Sequence, residues 1–247
     1  MRIGAENTRE MSDAVMMESN IDTALSTSEI YDALKEDILA LRLEPGSKMS
    51  EASVAEKYGV SRSPIRKVFN KLESENLLTV LPQKGTFVSL MDFQYITDMI
   101  YTRTCVEKQI LREIAERHDE AFLQKLERNI AEQKHIIHEG RGAKDFYNAD
   151  SRFHGMCFAY LDHTAIWELI QNMNVHYTRF RMLDIVSEKR FEILVKEHEE
   201  ILALLRAAND PDGLSHVIHA HLHGNITRLG AKITSEYARY FKETRIL

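Results

Sequence analysis

Proline placement constrains this chain more than any other single feature. Of its four prolines, Pro45, Pro64 and Pro82 precede residue 83, Pro211 comes late, and none falls between 83 and 210. Proline lacks an amide proton and collides with the preceding helical turn. The first third must therefore turn often, while the long middle is free to run as helices. The predicted fold class is mainly α, with a turn-rich N-terminal unit followed by an all-α antiparallel helical bundle. The boundary falls near residues 90–92, giving units of 28–90 and 92–241. Residues 1–27 show no periodic apolar face and are expected to be a loosely ordered lead-in.

Within the first unit, Ser28 is placed to cap a helix carrying Ile30, Leu34, Ile38 and Leu41, which stops at Leu43-Glu44-Pro45-Gly46. Ser50 caps a short helix over 51–58 with Val54 and Ala55 inward. Gly59 is suited to a left-handed turn before a second helix over about 62–75. Pro64 is tolerated in that helix's first turn, and Ile65, Val68, Phe69 and Leu72 form its apolar stripe. Leu78–Leu81 and Thr86–Leu90 read as two short strands joined by Pro82-Gln83-Lys84-Gly85. Helix, helix, tight turn, helix and β-hairpin is the order of a winged helix-turn-helix.

The whole chain carries a net charge of −6, but DNA responds to a local patch rather than a total. Between Lys57 and Lys84 stand Lys57, Arg62, Arg66, Lys67, Lys71 and Lys84 against Glu73 and Glu75, a local excess of four positive charges. Arg62 and Arg66 project from one face at the N-terminal end of the second helix, where long donors reach base edges in a major groove. Ser61 and Ser63, with the free amides of the helix start, can bind phosphates. Lys84 and Gly85 form the wing tip. The stretch Leu43-Glu44-Pro45-Gly46, Ser50-Glu51, Val54-Ala55, Gly59-Val60-Ser61-Arg62-Ser63-Pro64-Ile65-Arg66, Leu72, Leu77-Leu78 and Gly85-Thr86-Phe87-Val88 resembles the DNA-binding domain of the GntR superfamily nearly end to end. That resemblance implies a transcription repressor binding a palindromic operator as a homodimer. Lys67-Val68 stands where that family usually has Glu-Ala, and Lys84 where its wing usually has Arg. Both departures bear on operator preference rather than docking.

From residue 92 the periodicity is helical, with helices read at about 92–118, 120–140, 144–162, 163–183, 188–208 and 211–241. The apolar stripes of three of them are interrupted by polar residues. Phe146, Asp150, Phe153, His154, Cys157 and Leu161 share one face. Phe191, Leu194, Val195, His198, Ile201, Leu202 and Leu205 share another, and Leu214, Val217, Ile218, His221, Leu222 and Leu229 a third. Burying these polar groups singly would cost several kcal/mol each unless they were paired. A divalent metal would satisfy all four together, and three imidazoles with a carboxylate suit Zn²⁺, Ni²⁺ or Mn²⁺. His219 and His223 lie off the stripe and read as surface residues. Arg103 and Glu107 also face inward, either as an internal ion pair or with Arg103 clamping a ligand carboxylate. Asn174 and Asn225 are further candidates for effector contact.

Arg103 with Glu107, Asp150-Ser-Arg-Phe153-His154, Glu197-His198 with Ile201-Leu202, and His221-Leu222 resemble the FCD effector-binding domain of the FadR-like branch of that superfamily. There an Asp and three His in these places commonly hold a metal with a small carboxylate beside it. A metal-dependent hydrolase is the alternative class, but His198-Glu199 lacks the second His of the zincin motif. No apolar run approaches the ~18 residues of a membrane helix, and the first 27 residues lack the apolar stretch of an export signal. Cytoplasmic residence is the expectation. Cys105 and Cys157 have no metal or redox spacing.

Overall fold

The structure is a computed structural model and describes residues 25–173, 175–188 and 191–243. The expected lead-in over 1–27 lies almost wholly outside these residues. Helix α1 (Thr27–Leu39) is capped by Ser26, two residues before the expected cap. Ser26 and Glu29 exchange bonds in a capping box, each side chain accepting from the other's backbone amide. Ser28 therefore sits inside the first turn. Leu41 has a positive φ and lies beyond the helix. Helix α2 (Glu51–Tyr58) is capped by Ser50, and Gly59 ends it in the left-handed conformation. Helix α3 (Arg62–Ser74) buries Ile65, Val68, Phe69 and Leu72.

A third strand joins the expected hairpin. β1 (Lys48–Met49), β2 (Leu78–Leu81) and β3 (Gly85–Val88) form an antiparallel sheet in the order β1-β3-β2. Two residues carry no readable alternation, so β1 has no sequence signature. β3 ends before Leu90 because Ser89 leaves the ladder. Its amide donates to the Leu77 carbonyl at 3.0 Å, and its own carbonyl accepts from Arg179. Ile30, Leu34, Val54, Ile65, Phe69, Leu72, Leu78 and Val88 share one hydrophobic core under this sheet.

A second, larger core belongs to α4 (Phe93–Arg117), α5 (Glu120–His138), α6 (Ala143–Tyr160), α7 (Thr164–Asn172), α8 (Val175–Glu188), α9 (Phe191–Ala207) and α10 (Pro211–Leu229). α5 packs on α6 and α9, and α10 on α4 and α9. The single helix expected over 163–183 is two, because α7 stops at Met173, whose carbonyl is taken by the Tyr95 hydroxyl at 2.7 Å. α8 then enters the core, with residues 176–185 buried except Thr178. The helix expected to reach 241 ends at Leu229, where Gly230 adopts φ +42. The chain returns through two short 3-10 turns to pair with the linker: Met91 donates to the Tyr240 carbonyl at 2.8 Å, and Lys242 donates to Met91 at 2.9 Å.

Candidate metal and effector site

α6, α9 and α10 each bring inward the polar residues that interrupt their apolar stripes. Asp150, His154, His198 and His221 are all buried, and one ligand atom from each lies within 4.8 Å of the others. The orientation of each ring is fixed from behind. His154 Nδ1 donates to Glu107 Oε2 at 2.7 Å, His198 Nδ1 to Gln133 Oε1 at 2.9 Å, and His221 Nδ1 to Glu197 Oε2 at 2.7 Å. With each Nδ1 donating its proton outward, each ring turns its Nε2 toward the centre, the nitrogen that ligates a metal. His154 Nε2 and His221 Nε2 stand 3.2 Å apart, and His198 Nε2 is 3.7 Å from Asp150 Oδ1. His198 Nε2 and both Asp150 oxygens are buried without a hydrogen-bond partner.

A set of lone pairs facing one another in a dry core is costly without a cation. Three nitrogens and a carboxylate oxygen therefore fit a divalent metal, and the cluster could hold one. Its electrostatics agree with that chemistry. Burial would raise the Asp150 carboxyl, but Arg181 and the surrounding histidines hold it well below the usual carboxylate range. Burial, reinforced by His221, pushes His198 well below an ordinary histidine, so the ring is neutral and ready to ligate. His154 is lowered as well, chiefly by burial, against the pull of Glu107.

Beside this cluster stand two buried arginines. Arg103 makes the expected ion pair, Nε to Glu107 Oε1 at 2.6 Å, and donates from NH1 to Tyr177 at 3.2 Å, while NH2 has no partner. The two readings of Arg103 are thus compatible: the ion pair exists, and one face of the fork is left over. Burial alone would raise Glu107, yet Arg103 and His154 outweigh it and set it at about 2. Arg181, which sequence reasoning missed, lies 2.8 Å from Asp150 Oδ2, with its NH2 not aligned for a hydrogen bond. Tyr177, Arg181, Leu194, His221 and Asn225 border a cavity of about 10 Å³. That is near the least volume that holds one water. Asn225 is buried there, and its Oδ1 accepts from the Ile226 amide at 2.9 Å. Asn174 lies outside the described residues. His219 and His223 stack on each other with ring centroids 4.0 Å apart, His219 exposed and His223 half-buried, and neither ring is in the cluster.

Gln133 and Asn129 carried a readable signal, because both interrupt the buried stripe of α5. Arg181 did not. α8 is buried nearly all round, so no apolar face marks a polar intruder.

On the first unit, Ser61 is the cap residue of α3 without a side-chain cap bond, and Arg62, Ser63 and Arg66 are exposed along its start. Arg66 is held by Glu51 of α2 at 3.1 Å. Lys84 is exposed at the hairpin turn. Gly85 has φ +113, and a Cβ there would meet the Lys48 side chain at 3.0 Å, so glycine is required by the turn itself.

Comparison with known proteins agrees with both halves. Residues 26–88 match the family described as "Bacterial regulatory proteins, gntR family", and residues 98–224 match the FCD domain. The chain is 27% identical over 215 residues to the HTH-type transcriptional repressor RspR of Escherichia coli, covering 87% of this chain and 93% of that protein. It is 25% identical to the HTH-type transcriptional regulator YdhC of Bacillus subtilis, covering 81% and 89%. Among solved structures, McbR/YncC of Escherichia coli shares the fold with a TM-score of 0.62 at 19% identity, over 86% of this chain and 99% of that one. A GntR regulator from a Rhodococcus species shares it at 0.66 and 19% identity, over 83% and 98%. No helix among the described residues is long and apolar enough to cross a membrane. The chain belongs to the GntR family of regulators with an FCD domain, and is a DNA-binding transcription regulator rather than an enzyme.

Proposed function

We propose that this protein is a cytoplasmic repressor that binds a palindromic operator as a homodimer and releases it when a small organic or sugar acid binds beside a metal. Residues 28–90 form the DNA-binding unit and 92–241 the effector-binding and dimerisation unit. Arg62 and Arg66 read base edges, Ser61, Ser63 and Lys84 hold phosphates, and Gly85 lets the wing approach the backbone. Asp150, His154, His198 and His221 hold Zn²⁺, Ni²⁺ or Mn²⁺. A bound metal supplies a fixed positive charge that a carboxylate can approach. The observation that carries this reading is the convergence, within 4.8 Å, of three oriented Nε2 atoms and a carboxylate that accepts no hydrogen bond.

The polar groups left over beside the cluster select the ligand. Among the described residues Arg103 has an unused nitrogen, Arg181 pairs with a prospective metal ligand, and Asn225 completes the wall. Two guanidiniums favour an anion with planar, bidentate oxygens. The present cavity is too small for such a molecule, so binding requires Tyr177 and Arg181 of α8 to move. Coupling of ligand to DNA follows from that movement. Native mass spectrometry of the purified protein, followed by gel shifts on an operator selected from random DNA, tests the reading. A metal-free protein whose operator complex ignores every organic acid would overturn it.

A further inference from the structure

Between the two cores lies a second, much larger cavity of about 640 Å³, which shares no lining residue with the metal cluster. Small-molecule sites favour such junctions and commonly span ~300–1,000 Å³. Its walls come from α1, the end of α3, the start of α4, α6, the α7–α8 junction, α8 and the returning C-terminal segment.

One wall carries an uncompensated charge. Arg179 is fully buried, and its partners among the described residues are the Ser89 carbonyl at 2.5 Å and His176 Nδ1 at 2.9 Å. Among the described residues its Nε has no partner and no carboxylate pairs with it. Burial lowers this guanidinium only to about 10, so it remains charged at neutral pH. A guanidinium can only donate, so His176 Nδ1 must accept, and the ring proton must sit on Nε2. Burial, with Arg179 and Lys242 nearby, keeps the ring neutral down to about 4. The imidazole lines the cavity, and its Nε2–H has no partner among the described residues. Arg179 thus polarises a donor available to the cavity.

The other charges at this wall cancel in pairs. Lys35 pairs with Glu75 at 2.6 Å and Lys242 with Asp92 at 3.1 Å. Among the described residues, the charge left without a carboxylate at this wall is that on Arg179. Tyr147, Met173 and Tyr95, the last packed edge-on against His176, supply apolar surface, the two tyrosine hydroxyls already bonded to Met173 O and Thr178 Oγ1.

We propose that this interunit cleft is a second ligand site, selective for a small organic monoanion. Its oxyanion head takes the His176 Nε2–H and the Lys242 ammonium, and its apolar body lies against Tyr95, Tyr147 and Met173. The occupant competes with Asp92 for Lys242, and so bears on the segment that ties the C-terminus to the linker.

Calorimetry on the full chain, after chelation has cleared the metal cluster, tests this with benzoate, its neutral isostere benzamide, and inorganic phosphate. Benzoate should bind at least about tenfold more tightly than benzamide, the size of one charge-assisted hydrogen bond. His176→Phe and Arg179→Leu should each weaken benzoate by about tenfold or more, while His198→Ala leaves it unchanged. In ¹⁵N-histidine spectra of the wild-type protein, the His176 Nε2 resonance should shift saturably with benzoate. No binding, equal affinity for benzamide, phosphate binding as tight as benzoate, or loss of binding in His198→Ala would each overturn the assignment. If either cleft variant fails to fold, the wild-type His176 resonance decides alone: a saturable shift supports the site and its absence overturns it. Failure of the metal reading would leave these results untouched, because the metal is absent throughout.

Discussion

The amide oxygen of Gln133 takes the Nδ1 proton of His198, and so decides which nitrogen of that ring faces the cluster. Gln133 is itself held, donating to Asn129 at 2.7 Å, which in turn donates to the Ala149 carbonyl. Gln133→Leu should therefore lower metal affinity by roughly 10–100-fold without removing a ligand, as loss of an outer-shell partner does. Gln133→Glu, which keeps the acceptor, should retain most of it. His198→Ala should lower metal content and melting temperature together, because a metal at 100 times its Kd stabilises the native state by about 2.7 kcal/mol. His219→Ala should change neither; metal analysis with thermal melts checks all four variants. His176 gives a separate pH signature. Its folded pKa lies at about 4, below the unfolded value of about 6.5. The unfolded chain takes up a proton first as pH falls, so stability drops between about 6.5 and 4 and is full above that window. Melts of His176→Phe should show a shallower loss across that window, and an identical slope would contradict the assignment. At this scale the polar interruptions of three apolar stripes exposed Asp150, His154, His198 and His221 to a reading of sequence. Arg181, on a helix buried all round, offered no such contrast.

Elements with chemical punctuation were legible, and elements made by tertiary contact were not. Gly59, Ser50 and the Pro64 start fixed α2 and α3 closely, because each end is set by a local backbone demand. The break between α7 and α8 and the end of α10 lacked such clarity. Tyr95 decides the first from a distant helix, and Phe241, packed edge-on against Phe93 and Phe180, rewards the chain for leaving the second. Ser26→Ala should cost about 1 kcal/mol in thermal or chemical unfolding, because it deletes half of the capping box. Arg62→Ala and Arg66→Ala should each cost roughly 1–3 kcal/mol of operator affinity and relax specificity at particular base pairs. Arg66 must first leave Glu51, so Glu51→Gln should leave binding intact or tighten it slightly. Lys84→Ala should weaken all sequences alike and flatten the salt slope by about one unit. Quantitative binding to operator and unrelated DNA at several salt concentrations separates these outcomes.

Across the whole molecule, α8 touches every part that regulation needs. Tyr177 and Arg181 face Arg103 and Asp150, Arg179 holds the linker carbonyl of Ser89, and the helix packs on α1 of the DNA-binding unit. An acid entering beside the metal has little more room than a water molecule, so it must displace this helix's inner face. A rigid, buried helix transmits that displacement to its other face. The linker is gripped by Arg179 on one side and by Tyr240 and Lys242 on the other, so on the proposed mechanism such a shift would be passed to the DNA-binding unit. The ligand must then bind the DNA-free arrangement more tightly, and by linkage operator DNA must weaken ligand binding by the same factor, typically ~5–150-fold. Calorimetry on a panel of small organic and sugar acids, with and without operator, should find that reciprocal loss. Arg103→Ala and metal removal should abolish binding of those acids that dock beside the metal, while leaving operator affinity in place. Arg179→Leu should keep the affinities for operator and for the metal-site acid but shrink the factor that links them. Equal ligand affinity with and without operator, or binders that are all neutral or cationic, would rule this mechanism out.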